Sequence, residues 1–361
     1  MKQPANRYQR ILIAPLNWGL GHATRTTPVI QQSLALGHEI LIASDGAALA
    51  YLKKEFPNLP HIPLAGIRIK YLKRYGFFTG LFLQLPKIIL GIIKEHKQTK
   101  RIVKKYQIET IISDNRYGVW SRKTKNIFIT HQINLIPPRK LTFLKPLIRT
   151  ALLKRTGRFH QLWIPDFETA PTLSGKLSHP SIQKKSHYIG PLSRFHFQPN
   201  APVKYDFCLL ISGPENQRTL FEERVFEQLR DCSAKGIVLR GLPQKESKVQ
   251  TINQTKIYNH LSSVEIANII SQSRIVICRP GYSTLMDLWT LRKPAILIPT
   301  PGQTEQEYLA RHLEGQSFAT YPQSTFLLKK ALKEGHSLTA PQWHIGREYT
   351  PDLLTQTLRK L

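Results

Sequence analysis

The chain has 361 residues, too many for one hydrophobic core of ordinary size, so the length suggests two domains. Apolar residues at 41% and charged residues at 21% match globular averages and exclude wholesale disorder. With 52 Lys+Arg against 23 Asp+Glu the formal net charge is +29, an excess that attracts something anionic (nucleic acid, a membrane surface or a phosphorylated substrate) without choosing among them.

The N-terminal MKQPANRYQR carries no signal-peptide core and runs straight into a short apolar strand, so no export is expected. From there apolar runs alternate with helical patterns: ILIA (11–14), a helix near Thr26–Leu36, EILIA (39–43), a helix near Ala47–Lys54, TIIS (110–113) and NIFIT (126–130). Continuous apolar strands separated by helices predict a parallel sheet covered on both faces. The apolar stretch from Tyr75 to Ile93 is broken by Pro86 and Lys87 and falls short of the roughly 20 residues that span a bilayer. The same grammar restarts at FCLLIS (207–212) and continues through GIVLR (236–240), a helix near Val264–Ser271, IVIC (275–278), a helix near Ser283–Leu291 and AILIP (295–299). The expected fold class is α/β, two doubly wound Rossmann-like domains. Their expected bounds are 1–190 and 205–345, with the proline-containing stretch 191–204 as linker. A last helix within 346–361 is expected to fold back over the first domain. Cys208, Cys232 and Cys278 stand far apart with no C-x-x-C pair, which points to a reducing compartment.

Ligands of open parallel sheets bind beyond the carboxyl ends of strands, at helix N-termini. That rule selects four loops. Asn17 to Arg25 follows the first strand and carries Gly19, Gly21, His22 and Arg25. Ile211 to Asn216 carries Ser212 and Gly213. Cys278 to Thr284 carries Gly281, Tyr282 and Ser283, with Asp287 one turn on, where helix amides suit a diphosphate and a carboxylate suits two ribose hydroxyls. Thr300 to Glu307 carries Gln306 and Glu307, suited to sugar hydroxyls. A further constellation, Ser113-Asp114-Asn115-Arg116 and Thr130-His131-Gln132, ends two strands of the first domain. Taken singly, each has a purely structural explanation: glycine for a turn, an acid at a helix start, Asp114 capping a helix near Tyr117.

The GLGHATRTTP loop, the GPLSR stretch and above all RPGYSTLMDLWTLRKPAILIPTPGQTEQEYLARHL (279–313) resemble glycosyltransferases of the GT-B fold, in which the two domains face each other across a cleft. They are most similar to family 28, which includes the N-acetylglucosaminyltransferase of peptidoglycan lipid synthesis and the galactolipid synthases. The resemblance implies that Asp287 replaces a ribose-binding glutamate, one methylene shorter. It puts Gln306 and Glu307 where the family has two sugar-holding glutamines, Arg194 and Ser212 on the nucleotide side, and Gly281, Tyr282 and Ser283 at the diphosphate. Glu307 accepts but cannot donate, so the sugar need not be N-acetylglucosamine. The first loop lacks the family's usual glycine-threonine-glycine-glycine run, having Trp18 and Leu20 instead, which leaves the acceptor open. The implied activity is transfer of a hexose-type sugar from a nucleotide diphosphate, expected to be UDP, to a lipid-linked or membrane-associated acceptor. The GHATR pattern also resembles nucleotide-sugar hydrolases, so a hydrolase or epimerase on the same fold is the alternative.

An inverting transfer needs a base at the acceptor hydroxyl and neutralisation of the departing diphosphate. His22 is the expected base, with Asp114 orienting or replacing it, and His131 in reach of either substrate. Helix N-termini and Arg194 are expected to meet the leaving charge; no Asp-x-Asp motif is present to anchor a metal, and neither a metal nor another cofactor is expected. From Arg68 to Lys105 eleven Lys/Arg and one acid, Glu95, interleave with Phe77, Phe78, Leu81, Phe82, Ile88, Ile89 and Ile92; from Arg116 to Arg158 there are eleven more and no acid. That mixture fits a segment on an anionic bilayer, at about 1 kcal/mol per basic residue. It fits equally a set of sheet-covering helices with lysines outward. The expected location is cytoplasmic, peripheral at the inner face of the membrane. No zinc-finger spacing or RNA-binding aromatic motif favours a specific nucleic acid.

Overall fold

The computed structural model describes residues 8–67, 83–137, 139–179, 185–242, 249–315, 317–341 and 351–361. It divides into two compact units, Met1–Leu192 with Tyr349–Leu361, and Ser193–Glu348. In the first unit β1 (Arg10–Pro15), β2 (Glu39–Ser44), β3 (His61–Pro63), β4 (Thr110–Asp114), β5 (Lys125–Ile129), β6 (Gln161–Ile164) and β7 (Ser186–Tyr188) form a parallel sheet in the order β3-β2-β1-β4-β5-β6-β7. Leu12, Ala14, Leu41, Ala43 and Ile111 pack one face of it against Ile102 and Val103. Strand order reverses between β1 and β4, whose last residues Pro15 and Asp114 are partners across the ladder. A crevice opens outside such a reversal, because the flanking connections leave to opposite faces.

The helices of this unit are α1 (Gly21–Ala35), α2 (Gly46–Glu55), α3 (Leu85–Tyr106) and α4 (Lys145–Thr156). Helix α1 begins five residues before the expected Thr26, although Thr24, Thr26, Thr27 and Pro28 are poor helix formers. Tertiary burial outweighs their propensity, and the three threonine hydroxyls donate to the carbonyls of residues 21–23. The carboxyl half of α3 covers the sheet through Ile102 and Val103, but Ile89, Leu90 and Ile93 in its amino half are exposed. Helix α4 buries no residue at all, and Leu147 and the preceding Phe143 are about 70% exposed. Phe77, Phe78, Leu81 and Phe82 lie outside the described residues.

The second unit repeats the plan. Its strands β8 (Tyr205–Leu210), β9 (Gly236–Leu239), β10 (Val249–Ile252), β11 (Thr255–Tyr258), β12 (Ser273–Cys278), β13 (Ala295–Leu297) and β14 (Phe318–Thr320) lie in the order β10-β11-β9-β8-β12-β13-β14. All pairings are parallel except β10 with β11, a hairpin turned by Asn253 at φ 50°. The helices are α5 (Gln217–Leu229), α6 (Ser263–Ser271), α7 (Tyr282–Thr290), α8 (Thr304–Leu313) and α9 (Leu328–Gly335). Here the order reverses between β8 and β12. The stretch expected as linker is held to this unit: Phe195 is buried, Gln198 Nε2 donates to Asn268 Oδ1 at 2.9 Å, and Lys204 N donates to the Gln272 carbonyl. The chain ends in α10 (Pro351–Arg359), which packs on α1 in the first unit with Leu354 and Leu358 buried and Thr355 Oγ1 bonded to Gln32 Oε1 at 3.1 Å.

Both sheets are parallel-dominated and doubly wound, the α/β class expected from the sequence. Among the described residues no helix is long and apolar enough to cross a membrane.

Candidate active site

In the first unit four side chains meet beyond the carboxyl ends of β1, β4 and β5. Gly19, at φ +73°, makes a left-handed turn that L side chains rarely adopt, and the chain enters α1 two residues later. His22 and Arg25 are then three residues apart in the first turns of α1, on one face. Asp114, the last residue of β4, is fully buried between them: His22 Nδ1 lies 3.2 Å from both carboxylate oxygens, Arg25 Nε donates to Oδ2 at 2.8 Å, and Arg25 Nη2 donates to Oδ1. Arg25 Nη1 in turn reaches His131 Nδ1, just past β5, at 3.1 Å. Since a guanidinium only donates, His131 accepts at Nδ1 and carries its proton on Nε2.

The electrostatics follow from this packing. Burial alone would raise the Asp114 carboxyl, but the Arg25 guanidinium and the His22 ring hold it at about 2. Burial lowers His22, as does Arg25, and Asp114 only partly offsets them because its charge is shared with the guanidinium. His22 is therefore a neutral imidazole at neutral pH. Its Nδ1–H donates to the ionised Asp114, which leaves Nε2 as the basic nitrogen. No helix begins near Tyr117, so Asp114 caps none; residues 115–124 are turns and irregular chain. Asn17, just before the turn, accepts the Ala48 N–H of α2 at its side-chain oxygen, 3.2 Å away, which fixes the loop between two helices.

Beneath these groups lies a pairing that residue patterns did not reveal. Arg116, fully buried, donates from Nε to Glu95 Oε1 at 2.7 Å and from Nη2 to the Leu64 carbonyl at 2.9 Å, and Glu95 Oε2 accepts the Gly118 N–H at 2.9 Å. Burial raises the Glu95 carboxyl while Arg116 pulls it back. The pair ties α3 to the loop that follows Asp114. The signal available was the solitary acid in a stretch of eleven basic residues.

In the second unit the expected donor residues ring the carboxyl ends of β8, β12 and β13. Gly281 is the N-cap of α7 with φ −71°, open to any residue, and a Cβ there would meet only Thr284 Oγ1 at 3.8 Å. Neither backbone nor packing requires glycine at this position. Tyr282 is buried, Ser283 half-buried, and Asp287 lies one turn further, its Oδ1 accepting from Ser193 Oγ at 2.5 Å. Burial pushes the Asp287 carboxyl up to about 6, against the pull of Arg194 and the Ser193 hydrogen bond. Arg194 donates to Ser263 Oγ at 3.0 Å, at the start of α6. Ser212 and Gly213 are exposed at the end of β8. Gln306 and Glu307 are already engaged: Gln306 Oε1 accepts the Thr300 N–H at 2.8 Å and Glu307 Oε1 the Gly302 N–H at 2.9 Å, so both brace the loop they were expected to line. Ser193 falls within the GPLSR stretch, but its tie to the carboxylate is a tertiary fact.

Comparison with known proteins bears on the fold and on the kind of family. Residues 217–338 match the model of the glycosyltransferase family 28 C-terminal domain. An uncharacterised glycosyltransferase of Methanosarcina mazei is 24% identical over 86% of this chain and 84% of its own length. A UDP-N-acetylglucosamine--N-acetylmuramyl-(pentapeptide) pyrophosphoryl-undecaprenol N-acetylglucosamine transferase of Gloeothece citriformis is 22% identical over 82% of this chain and 77% of its own. Among solved structures, the glycotransferase of kitacinnamycin superposes with a TM-score of 0.63 at 14% identity, covering 98% of this chain and 94% of its own. Acinetobacter baumannii MurG does so at 0.53 and 12% identity, covering 97% and 95%.

Proposed function

We propose that this chain, a glycosyltransferase of the GT-B fold and family 28 type, moves a hexose-type sugar from a UDP-linked donor to a lipid-linked or membrane-associated acceptor, with inversion and without a metal. The observation that carries the reading is the neutral His22 backed by a buried, ionised Asp114 at the strand-order reversal of the first unit. As the acceptor hydroxyl attacks the anomeric carbon, its proton passes to His22 Nε2; the bond from that carbon to the phosphate oxygen breaks, and the nucleoside diphosphate leaves. Asp114 favours the imidazolium so formed. Arg25, by sharing Asp114, keeps His22 neutral until the proton arrives.

On the donor side, the α7 N-terminus at Gly281 presents the positive end of its helix dipole to the diphosphate, Arg194 adds a charge, and Asp287 accepts from ribose hydroxyls. The lipid character of the acceptor is supported by two things: the undecaprenol-linked substrate named for several relatives, and the exposed apolar residues of α3 and α4 set among lysines and arginines. Such a surface binds an anionic bilayer by burying its apolar side chains while the basic ones meet headgroups, which would hold the protein peripherally at the cytoplasmic face.

The test is UDP release from a panel of UDP-sugars, with and without undecaprenol- or diacylglycerol-linked acceptors in vesicles. Release that requires acceptor and disappears in His22→Ala supports transfer. Release of free sugar at the same rate without acceptor would establish the hydrolase reading instead, since the same dyad can activate water.

A further inference from the structure

Among its described residues, the second unit holds a buried charge with no counter-charge. Arg279, at the end of β12 and 1% exposed, donates from Nη1 to the Ile298 and Pro299 carbonyls at 2.9 and 3.2 Å. Its Nη2 donates to the Gln217 carbonyl at 3.3 Å and to Gln323 Oε1, and the guanidinium lies over the Phe221 ring, 4.7 Å from its centroid. Every one of these partners is neutral, and among the described residues no carboxylate pairs with it. A buried guanidinium in neutral surroundings is costly, and the carbonyls offset only part of the desolvation.

Two polar atoms here are also unsatisfied, one the guanidinium's own and one beside it. Arg279 Nε and Thr300 Oγ1 are both buried without a hydrogen-bond partner. They converge on one spot: a Cβ built on Gly213 would meet only Thr300 Oγ1, at 3.6 Å, and Arg279 Nε, at 3.9 Å. Above them the loop carries two rare backbone conformations, Gly213 at φ +116° and Asn216 at φ 73°, ψ −51°. The place is the strand-order reversal of the second sheet, between β8 and β12.

We propose that Arg279 and Thr300 are a diphosphate-recognition pair, Nε–H and Oγ1–H donating to an oxygen of the donor's diphosphate that settles beside Gly213. The inference rests on reading this unit as the donor-holding one. Neither atom is accessible to water in the free protein, so binding includes a small outward shift of the Ser212–Asn216 loop. A sugar or base hydroxyl would satisfy the hydrogen bonds but leave the guanidinium charge unneutralised, whereas a phosphate oxygen does both. Burial has already lowered Arg279 to about 10, which is the direction a nearby anion would reverse.

Thr300→Val separates this role from a structural one, because the two predict opposite signs. Removing an unsatisfied buried hydroxyl raises the melting temperature of the free protein by roughly 2–4 °C. Removing a donor to an anion raises the Kd for UDP roughly tenfold and leaves the Kd for uridine unchanged. Arg279→Lys, which keeps the charge but loses Nε–H, weakens UDP in the same sense; because Arg279 also bolts four partners together, Thr300→Val is the deciding variant. Inorganic pyrophosphate serves as a second probe by calorimetry. Equal UDP affinity in wild type and Thr300→Val, or a lower melting temperature in the variant, overturns the pair and leaves the donor reading standing. Pyrophosphate binding that Thr300→Val weakens, with no UDP binding, keeps the pair and overturns the UDP reading. Binding of neither overturns both.

Discussion

Asp114→Asn strikes the first unit where charge, tautomer and packing meet. In the wild type the carboxyl sits at about 2 against 3.8 for an ordinary aspartate, which by linkage is about 2.5 kcal/mol of stability. The folded value is depressed, so that stability is fully present above pH 3.8 and is lost as the pH falls from there through 2. The asparagine variant also leaves Arg25, 2% exposed, without its carboxylate, a loss of about 3–5 kcal/mol for a buried ion pair broken on one side. The melting temperature at pH 7 is therefore expected to drop by roughly 6–20 °C, with the difference from wild type shrinking as the pH approaches 2. Activity falls for a separate reason. An amide NH2 donating to His22 Nδ1 drives the ring proton to Nε2, and kcat drops by about 10²–10⁴ while the donor KM stays nearly constant. Thermal unfolding across pH and UDP release at saturating substrates measure the two effects. A variant as stable as wild type at pH 7, or one with undiminished turnover, would refute the charge-and-tautomer account of this cluster.

Three further expectations can be checked with the same preparation. Asp287→Asn raises the KM for a UDP-sugar by roughly tenfold with a smaller change in kcat, and in the wild type uridine binding weakens as the pH falls below about 6, because protonated Asp287 accepts less well; a flat uridine affinity from pH 7 to 5 would contradict this. Leu90→Glu with Leu147→Glu, both on exposed helix positions, lowers co-sedimentation with phosphatidylglycerol vesicles without lowering the melting temperature, and wild-type binding weakens with added salt; retained vesicle binding would remove the membrane surface from α3 and α4. Dialysis against a chelator leaves UDP release unchanged, and a loss restored by a divalent cation would reverse the metal-free assignment.

The fold was legible wherever burial on both faces made a strand continuously apolar. ILIA, EILIA, TIIS and IVIC each became a central strand because the side chains that signal the strand are the ones that fill the core. Of the three-residue strands, Ala295–Leu297 lies inside the apolar run AILIP and was anticipated, whereas His61–Pro63, Ser186–Tyr188 and Phe318–Thr320 carry no continuous apolar run and too few residues for any periodicity. The hairpin formed by β10 and β11 was not anticipated, because Asn253-Gln254 lacks the glycine that marks a two-residue hairpin turn and the strands it joins are mostly polar. Helix α1 was placed too late because propensity discounts His22 to Pro28, and the error concealed the fact that His22 and Arg25 share a face.

The sequence by itself determined which loops leave the carboxyl ends of strands, since alternation of apolar runs and helices fixes that edge, and so it named His22, Asp114, Gly281 and Asp287 as candidates. Only the tertiary structure decided their states. That Asp114 is ionised depends on Arg25 lying across it from another element; that Gln306 and Glu307 brace their own loop depends on where Thr300 and Gly302 fall. The unpaired Arg279 and Thr300 became visible only once their surroundings were known. Strand patterns are local, carried by neighbouring side chains along one run. Charge, tautomer and unmet hydrogen bonds are set by groups that are distant in the chain and adjacent in space.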